Sequence, residues 1–336
     1  MMSAALVVTG LNAQAPVSPL AEGVKMLNYE KNKSALTFFK EALDKNPGDP
    51  ETTFWYGQAI LSQNYNGVST PESIQQAKAL YQQALQAKGN DAWLLVGMAH
   101  IQSLEGVDDN AVKQNLEVAI TSSLISKGKL KGKPNPEIIN AIGRVYAELP
   151  STIGDHQFAI DKLKETVSSN ETAGASLYIN LGINYLKLGG ERGGEAVSAF
   201  QEAINRDAKN AYAYYRIGKI YQSQNNKELF EEFFNKAIAA DPTFPPVYYA
   251  LYRYYSDKDV NKAKEYLDKF VSTADKDPRN EILFADYLFR AGKYSESLAK
   301  LKELETYILD LSYASEIKAS ALAYELILLA FTPLQQ

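Results

Sequence analysis

The sequence has no cysteine and only two histidines, His100 and His156. Without thiols there is no disulfide, no thiolate nucleophile, no zinc ribbon and no lipid-bearing cysteine. The two histidines are too far apart in sequence for helical ligand spacing, so a histidine-based metal site has no signature, and no cofactor or metal is expected. Positive charge is also scarce: 35 Lys and Arg against 40 Asp and Glu leave a net charge of −5. A nucleic-acid binder needs a broad basic face, so that class is disfavoured. No apolar run is long and charge-free enough to span a bilayer. A hydrophobic share of 46% nonetheless places the chain among folded proteins rather than disordered ones.

The beginning, MMSAALVVTGLNAQAPVSP, carries a short apolar run from Ala4 to Val8 and then small residues as far as Ala15. It is similar to the second half of a secretory signal peptide, with cleavage after Ala13 or Ala15. No basic residue precedes the run and Pro16 follows it, which a start placed too late and a disordered cytosolic tail would each explain. The expectation is an extracytoplasmic (periplasmic) location with residues 1–15 as a truncated signal. A cytoplasmic location is the alternative.

Beyond residue 16 one pattern returns throughout. In YYRIGKIYQSQNNKELFEEFFNKAIAADP, Tyr214, Ile217, Gly218 and Tyr221 share one helical face, and Phe234, Ala237 and Pro242 follow a polar break. Glycines at 23, 57, 97, 143, 182 and 218 stand at spacings of 34, 40, 46, 39 and 36. Each is followed by its own second apolar set: Ala35 and Phe39, Ala77 and Tyr81, Leu116 and Ala119, Ala159 and Leu163, Ala196 and Phe200, and Phe234. Two further units lack the glycine at that place, one with Tyr248, Leu251, Tyr255, Ala263 and Leu267, the next with Phe284, Leu288, Leu301 and Leu304. A repeat of this length with paired amphipathic segments is the mark of a helical solenoid. The recurrent glycine lets the two helices of a unit approach closely, which offsets a helix-propensity cost of about 1 kcal/mol.

The order of aromatic, Leu-Gly and Tyr on the first helix, then Ala, Phe and Ala on the second with Pro at the exit, resembles the tetratricopeptide repeat over roughly residues 16 to 310. The resemblance implies an all-α, right-handed superhelical solenoid of antiparallel helix pairs, about eight units long. Units 1–3 fall in 16–124, a basic linker in 125–136, units 4–8 in 137–310, and an apolar terminal helix in 311–336. Phe230 replaces the alanine usual on a second helix and Tyr252 the glycine usual on a first. Packing between those two units is therefore expected to be looser or rotated. Turn-rich insertions are expected at Asn64 to Glu72 and at Gly189 to Gly194.

The linker GKLKGKP lacks the spacing, the Ser or Thr and the preceding strand of a phosphate-binding loop, so it is expected to be solvated. His100 takes a position where other units place tyrosine and is expected inside, hydrogen-bonded. His156, beside Asp155 in a turn, is expected to meet water. The crowd of Tyr324, Leu326, Ile327, Leu328, Leu329 and Phe331 cannot be covered by one neighbour. A longer native chain would explain it, as would a partner or a second copy.

The resemblance further implies an inner surface lined by first helices, where ligand peptides lie. On the fourth to seventh units that surface would carry Asn140, Arg144, Asn180, Tyr212, Tyr215, Arg216, Lys219, Tyr249 and Arg253. Asn180 and Arg216 match a clamp with which some members hold a terminal carboxylate. Tyr212 replaces the clamp's lysine, and Asn140 and Arg144 occupy offsets that want lysine and asparagine. The expectation is a looser aromatic and cationic groove for a protein or acidic peptide segment, in a non-enzymatic scaffold. The alternative is the scaffold portion of a larger envelope enzyme or secretion assembly.

Overall fold

A computed structural model describes residues 18–63, 69–277 and 279–310. Among these residues there are sixteen α-helices and no strand. They run as α1 (Ala21–Asn28) and α2 (Asn32–Lys45), α3 (Pro50–Leu61) and α4 (Pro71–Lys88), α5 (Ala92–Leu104) and α6 (Asp109–Ser122), and α7 (Pro136–Glu148) and α8 (His156–Ser169). The array continues with α9 (Ala175–Leu188) and α10 (Gly193–Arg206), α11 (Ala211–Ser223) and α12 (Lys227–Ala240), α13 (Pro245–Tyr255) and α14 (Val260–Thr273), and α15 (Arg279–Arg290) and α16 (Tyr294–Asp310). Each helix packs on the next, and from α3 to α9 the odd-numbered helices also pack on one another as an inner layer. Beyond α9 that layer opens. The result is the all-α, right-handed solenoid of helix pairs that the repeat pattern implies. The expected leader in 1–15, the apolar helix in 311–336 and part of the 64–72 insertion lie outside the described residues.

Helix starts follow local chemistry. Asp49, Thr70, Asp91, Asn135, Asp155, Asn210 and Asp259 each accept a hydrogen bond from a backbone N–H in the first turn of the helix they precede. Pro50, Pro71 and Pro136 take the first helical position, where a missing N–H costs nothing.

The repeated glycines do what their spacing predicts. A Cβ added at Gly23 would stand 2.5 Å from Phe39, at Gly182 2.7 Å from Phe200 and at Gly218 2.5 Å from Phe234, each on the second helix of the same unit. Gly97 differs: its neighbour is Tyr81 of the preceding unit, at 2.6 Å, and Tyr81 also lies over Gly57. One ring thus fills the space left by two glycines. Its hydroxyl donates to Phe54 O (2.9 Å) and accepts from Gln58 Nε2 (3.1 Å). Gln58 Oε1 in turn meets His100 Nδ1 at 3.0 Å. His100 is inside, as expected, and burial pushes its pKa down to about 4, so it is neutral at pH 7.

His156 corrects the expectation of a solvated residue. It is 3% exposed, with Nδ1 at 3.2 Å from Asn184 Oδ1 and Nε2 at 3.3 Å from Pro150 O. The imidazole starts α8 and turns inward because Asp155 already caps that helix. At the Gly189 to Gly194 insertion, a single 3-10 turn over Gly190–Arg192 leads straight into α10. The basic linker is an ordered loop closed by Ile125 N–H to Lys133 O and Gly132 N–H to Ile125 O, with its lysines exposed.

At the irregular units, Phe230 is buried edge-on to Tyr254 (4.7 Å). Tyr252 is fully buried and donates to Asp286 of the next unit at 2.7 Å. The backbones of α12 and α13 make few close approaches, as do those of α6 and α7.

Candidate functional site

The inner surface is a space enclosed by the solenoid's own first turn. Tyr29, at the end of α1, reaches the turn after α12, where its hydroxyl donates to Asp241 Oδ2 at 2.8 Å. Its ring meets Phe244 edge-on at 4.7 Å. Lys25 pairs with the same carboxylate at 2.9 Å, and Lys33 pairs with Asp277 at 2.9 Å. The residue before α2, Lys31, offers that helix no side-chain cap. Asp275 supplies one from 241 residues away, accepting from Lys33 N–H (2.8 Å), Ser34 N–H (3.1 Å) and the Ser34 hydroxyl. A carboxylate there satisfies orphan donors and faces the positive end of the helix dipole. On the opposite wall Arg144 donates to Asn28. The first helix pair is thereby strapped across the superhelix.

This strap encloses a cavity of about 730 Å³ lined by, among others, Asn28, Glu30, Gln58, His100, Arg144 and Tyr249. Charges gather on its α7, α9 and α11 side. Arg144 pairs with Glu148 at 2.7 Å. Lys187 donates to Leu149 O at 2.6 Å, and burial together with Arg216 lowers its pKa against the pull of Glu148. Lys219 is lowered by burial and by Arg216, against the opposing pull of Glu30. Glu30 is raised by burial and by Glu148, against Arg216 and Lys219. Both Glu30 and Lys219 are nonetheless exposed to solvent, and Lys219 Nζ donates to Gln222 Oε1 at 2.7 Å. Four cations on α7, α9 and α11 thus cluster about Glu30 and Glu148, while the cavity wall itself carries Lys33 and Arg144 with Glu30, Glu148, Asp275 and Asp277.

Arg216 is its centre. The guanidinium lies 5.8 Å from the ring centroids of both Phe200 and Tyr212. Its Nε is buried without a hydrogen-bond partner, and among the described residues it forms no ion pair. A guanidinium between two rings, carrying unused donors, is suited to a carboxylate.

The structure separates the nine residues expected on this surface. Arg144, Tyr212 and Tyr249 line the cavity, and Arg216 and Lys219 act on Glu30 within it. Tyr215 packs inward, stacked on Phe234 at 5.6 Å. Asn140 and Asn180 are buried in a ladder between α7 and α9, where Asn180 Nδ2 donates to Asn140 Oδ1 at 2.9 Å and Asn184 Nδ2 to Gly143 O at 2.9 Å. Arg253 is exposed and does not line the cavity. Lys187, Glu148 and Glu30 were not foreseen. Lys187 and Glu148 stand near the ends of first helices, off the repeat's usual inner offsets. Glu30 reaches the space only through the strap, for which the sequence holds no local signal.

Residues 211–244 match the family model described as tetratricopeptide repeat, in the unit formed by α11 and α12. No curated protein matches the sequence. Among solved structures, a human IFIT1 dimer with m7Gppp-AAAA is similar over 84% of this chain and 70% of its own, at 15% identity and a TM-score of 0.50. YrrB, a TPR protein with an unusual peptide-binding site, aligns over 63% of this chain and 96% of its own at 21% identity, with a TM-score of 0.34. The unit of α11 and α12 thus matches the tetratricopeptide repeat, and the helix pairs and packing glycines on either side of it share that fold.

Proposed function

We propose that the chain is a non-enzymatic scaffold whose enclosed inner face holds an extended acidic segment of a partner protein. The observation that carries this reading is the charge imbalance on that face. Arg144, Lys187, Arg216 and Lys219 cluster about Glu30 and Glu148, beside a cavity whose wall also carries Lys33, Asp275 and Asp277, in a chain whose net charge is −5. A cluster of cations beside a concavity of an acidic protein steers acidic segments toward it. Tyr212 and Tyr249 add apolar walls, and packed helices present the face preorganised, so little ordering entropy is lost by the host on binding. The IFIT1 structure holds a capped RNA. Here two carboxylates stand among the four cations, which suits a segment of mixed polarity better than a run of phosphates.

The test is a titration with an end-blocked hexaglutamate peptide, with hexaglutamine and an oligonucleotide as controls. Hexaglutamate is expected to bind, and Arg216→Ala with Lys219→Ala to weaken it about tenfold or more. Unchanged affinity in that variant would dismiss the cationic face. Turnover of a substrate by the purified chain would contradict the non-enzymatic reading. Extracytoplasmic placement belongs to the same proposal. It rests on the Ala4 to Val8 run, and fractionation of the source cells tests it.

A further inference from the structure

The turn between α1 and α2 breaks a rule that its equivalents obey. In three other units the same turn closes with a residue in the left-handed conformation: Gly106 (φ 76°), Asn225 (φ 57°) and Gly292 (φ 75°). Each is followed by an N–H bonded back five residues, Val107 to Gln102 O, Asn226 to Tyr221 O and Lys293 to Leu288 O. This is the helix-ending motif that glycine, and less often asparagine, favours. In the first unit the bond is Lys31 N–H to Met26 O, and the left-handed residue is Glu30, with φ 56°. A glutamate there is strained relative to glycine. Such strain, when observed, is a pointer to function.

Glu30 also faces the cavity. Arg216 and Lys219 are near enough for both to stabilise its charge, yet among the described residues it forms no ion pair with either. Arg216 Nε is itself buried without a hydrogen-bond partner. The strap of Tyr29 to Asp241 and of Asp275 to α2 fixes the position of Glu30 from both sides of the turn.

Resting on the cationic-face reading, we propose that Glu30 is a built-in stand-in for the partner's carboxylate, held opposite Arg216 and Lys219 by the strap. A glutamate or aspartate side chain of the partner takes the place of that counter-charge. The strap then sets the threshold for binding, because an entering acidic segment meets like charge until the first helix pair moves aside. An uncharged residue at position 30 leaves the cations open.

The experiment titrates hexaglutamate into the full chain and into Glu30→Gln, Glu30→Gly and Asp275→Ala. Removing one like charge at partly screened range is expected to raise affinity on the order of tenfold in both position-30 variants. Asp275→Ala, which releases the strap but keeps the glutamate, is expected to raise it in the same direction. Hexaglutamine binding is expected not to change. Thermal melts check folding, and Glu30→Gly is expected to melt no lower than the parent because glycine suits the turn. If the parent binds hexaglutamate and Glu30→Gln binds it no better, the stand-in role is wrong while the cationic face survives. If neither binds it, both fall.

Discussion

A single added methyl group distinguishes the packing role of one glycine from another. At Gly57 a Cβ would stand 2.1 Å from the Tyr81 hydroxyl oxygen and 2.3 Å from its ring. Tyr81 cannot retreat, since it is fully buried, hydrogen-bonded at Oη and wedged against Gly97 as well. Gly57→Ala is therefore expected to destabilise the fold by about 2–4 kcal/mol. At Gly143 the nearest atoms are the terminal methyls of Leu163 at 2.9 and 3.0 Å, which can rotate. There the gain in helix propensity, about 1 kcal/mol, offsets most of the clash. Urea unfolding of the two variants should show that order, and the reverse order would contradict the packing argument. His100 gives a second prediction. Its pKa falls from an ordinary value near 6.5 to about 4 on folding, chiefly through burial. Because the unfolded chain takes up the proton first, stability is complete above about pH 6.5 and declines toward pH 4, by up to about 3 kcal/mol. The variant His100→Gln should lose that part of the slope in unfolding measured across the range. The interior place of His100 was legible because it falls on a repeat offset. That of His156 was not, since an inward turn at a helix start depends on Asn184 and Pro150, which no local pattern names.

Among the described residues the helices and their pairings were legible, because apolar spacing, Asp and Asn caps and first-turn prolines all act within a few residues. The strap was not legible, because it joins residues 25–34 to residues 241–277 and uses side chains that read locally as solvated. Its strength lies in the cap more than in the ion pairs. Lys25 and Lys33 are 45% and 51% exposed, and exposed pairs contribute about 0–1 kcal/mol. Asp275 closes the start of α2, and Asp275→Ala is expected to cost about 1–2 kcal/mol and to speed amide exchange at Lys33 and Ser34 first. Unaltered exchange at those two amides would show that α2 does not need the distant carboxylate. Acid should loosen the other anchor. Burial alone would raise the Asp241 pKa, but hydrogen bonds from Thr243, Lys25 and Tyr29 outweigh it and hold the carboxyl well below the usual range. A depressed carboxyl contributes its full stabilisation above the ordinary value of about 3.9 and loses it as pH falls toward the folded value. The absence of cysteine makes this measurable, since two introduced cysteines can carry unambiguous labels. The distance between labels on α1 and α12 is expected to hold at neutral pH and to lengthen below about pH 4. A constant distance down to unfolding would remove Asp241 from the strap.

At the scale of the molecule, a superhelix of paired helices turns back until its first pair meets the segment from α12 to α15. The inner layer opens beyond α9, and the space so made is lined by Glu30, Arg144, Tyr212 and Tyr249, with Arg216 and Lys219 close enough to act on Glu30. Three of the nine inner-face residues read from the repeat line this space and two more act on Glu30, while the asparagines bind the scaffold to itself. The repeat register specifies which way a side chain leaves its helix, but not whether a neighbouring unit consumes it. An acidic segment bound inside the ring would lie against the first helices α9, α11 and α13. The most direct test is photo-crosslinking with an acidic peptide that carries one benzophenone, followed by mass spectrometry of the adducts. Adducts on α9, α11 and α13, near Lys187, Tyr212, Lys219 and Tyr249, are the predicted result. Adducts confined to the outer helices α10, α12 and α14 would contradict it.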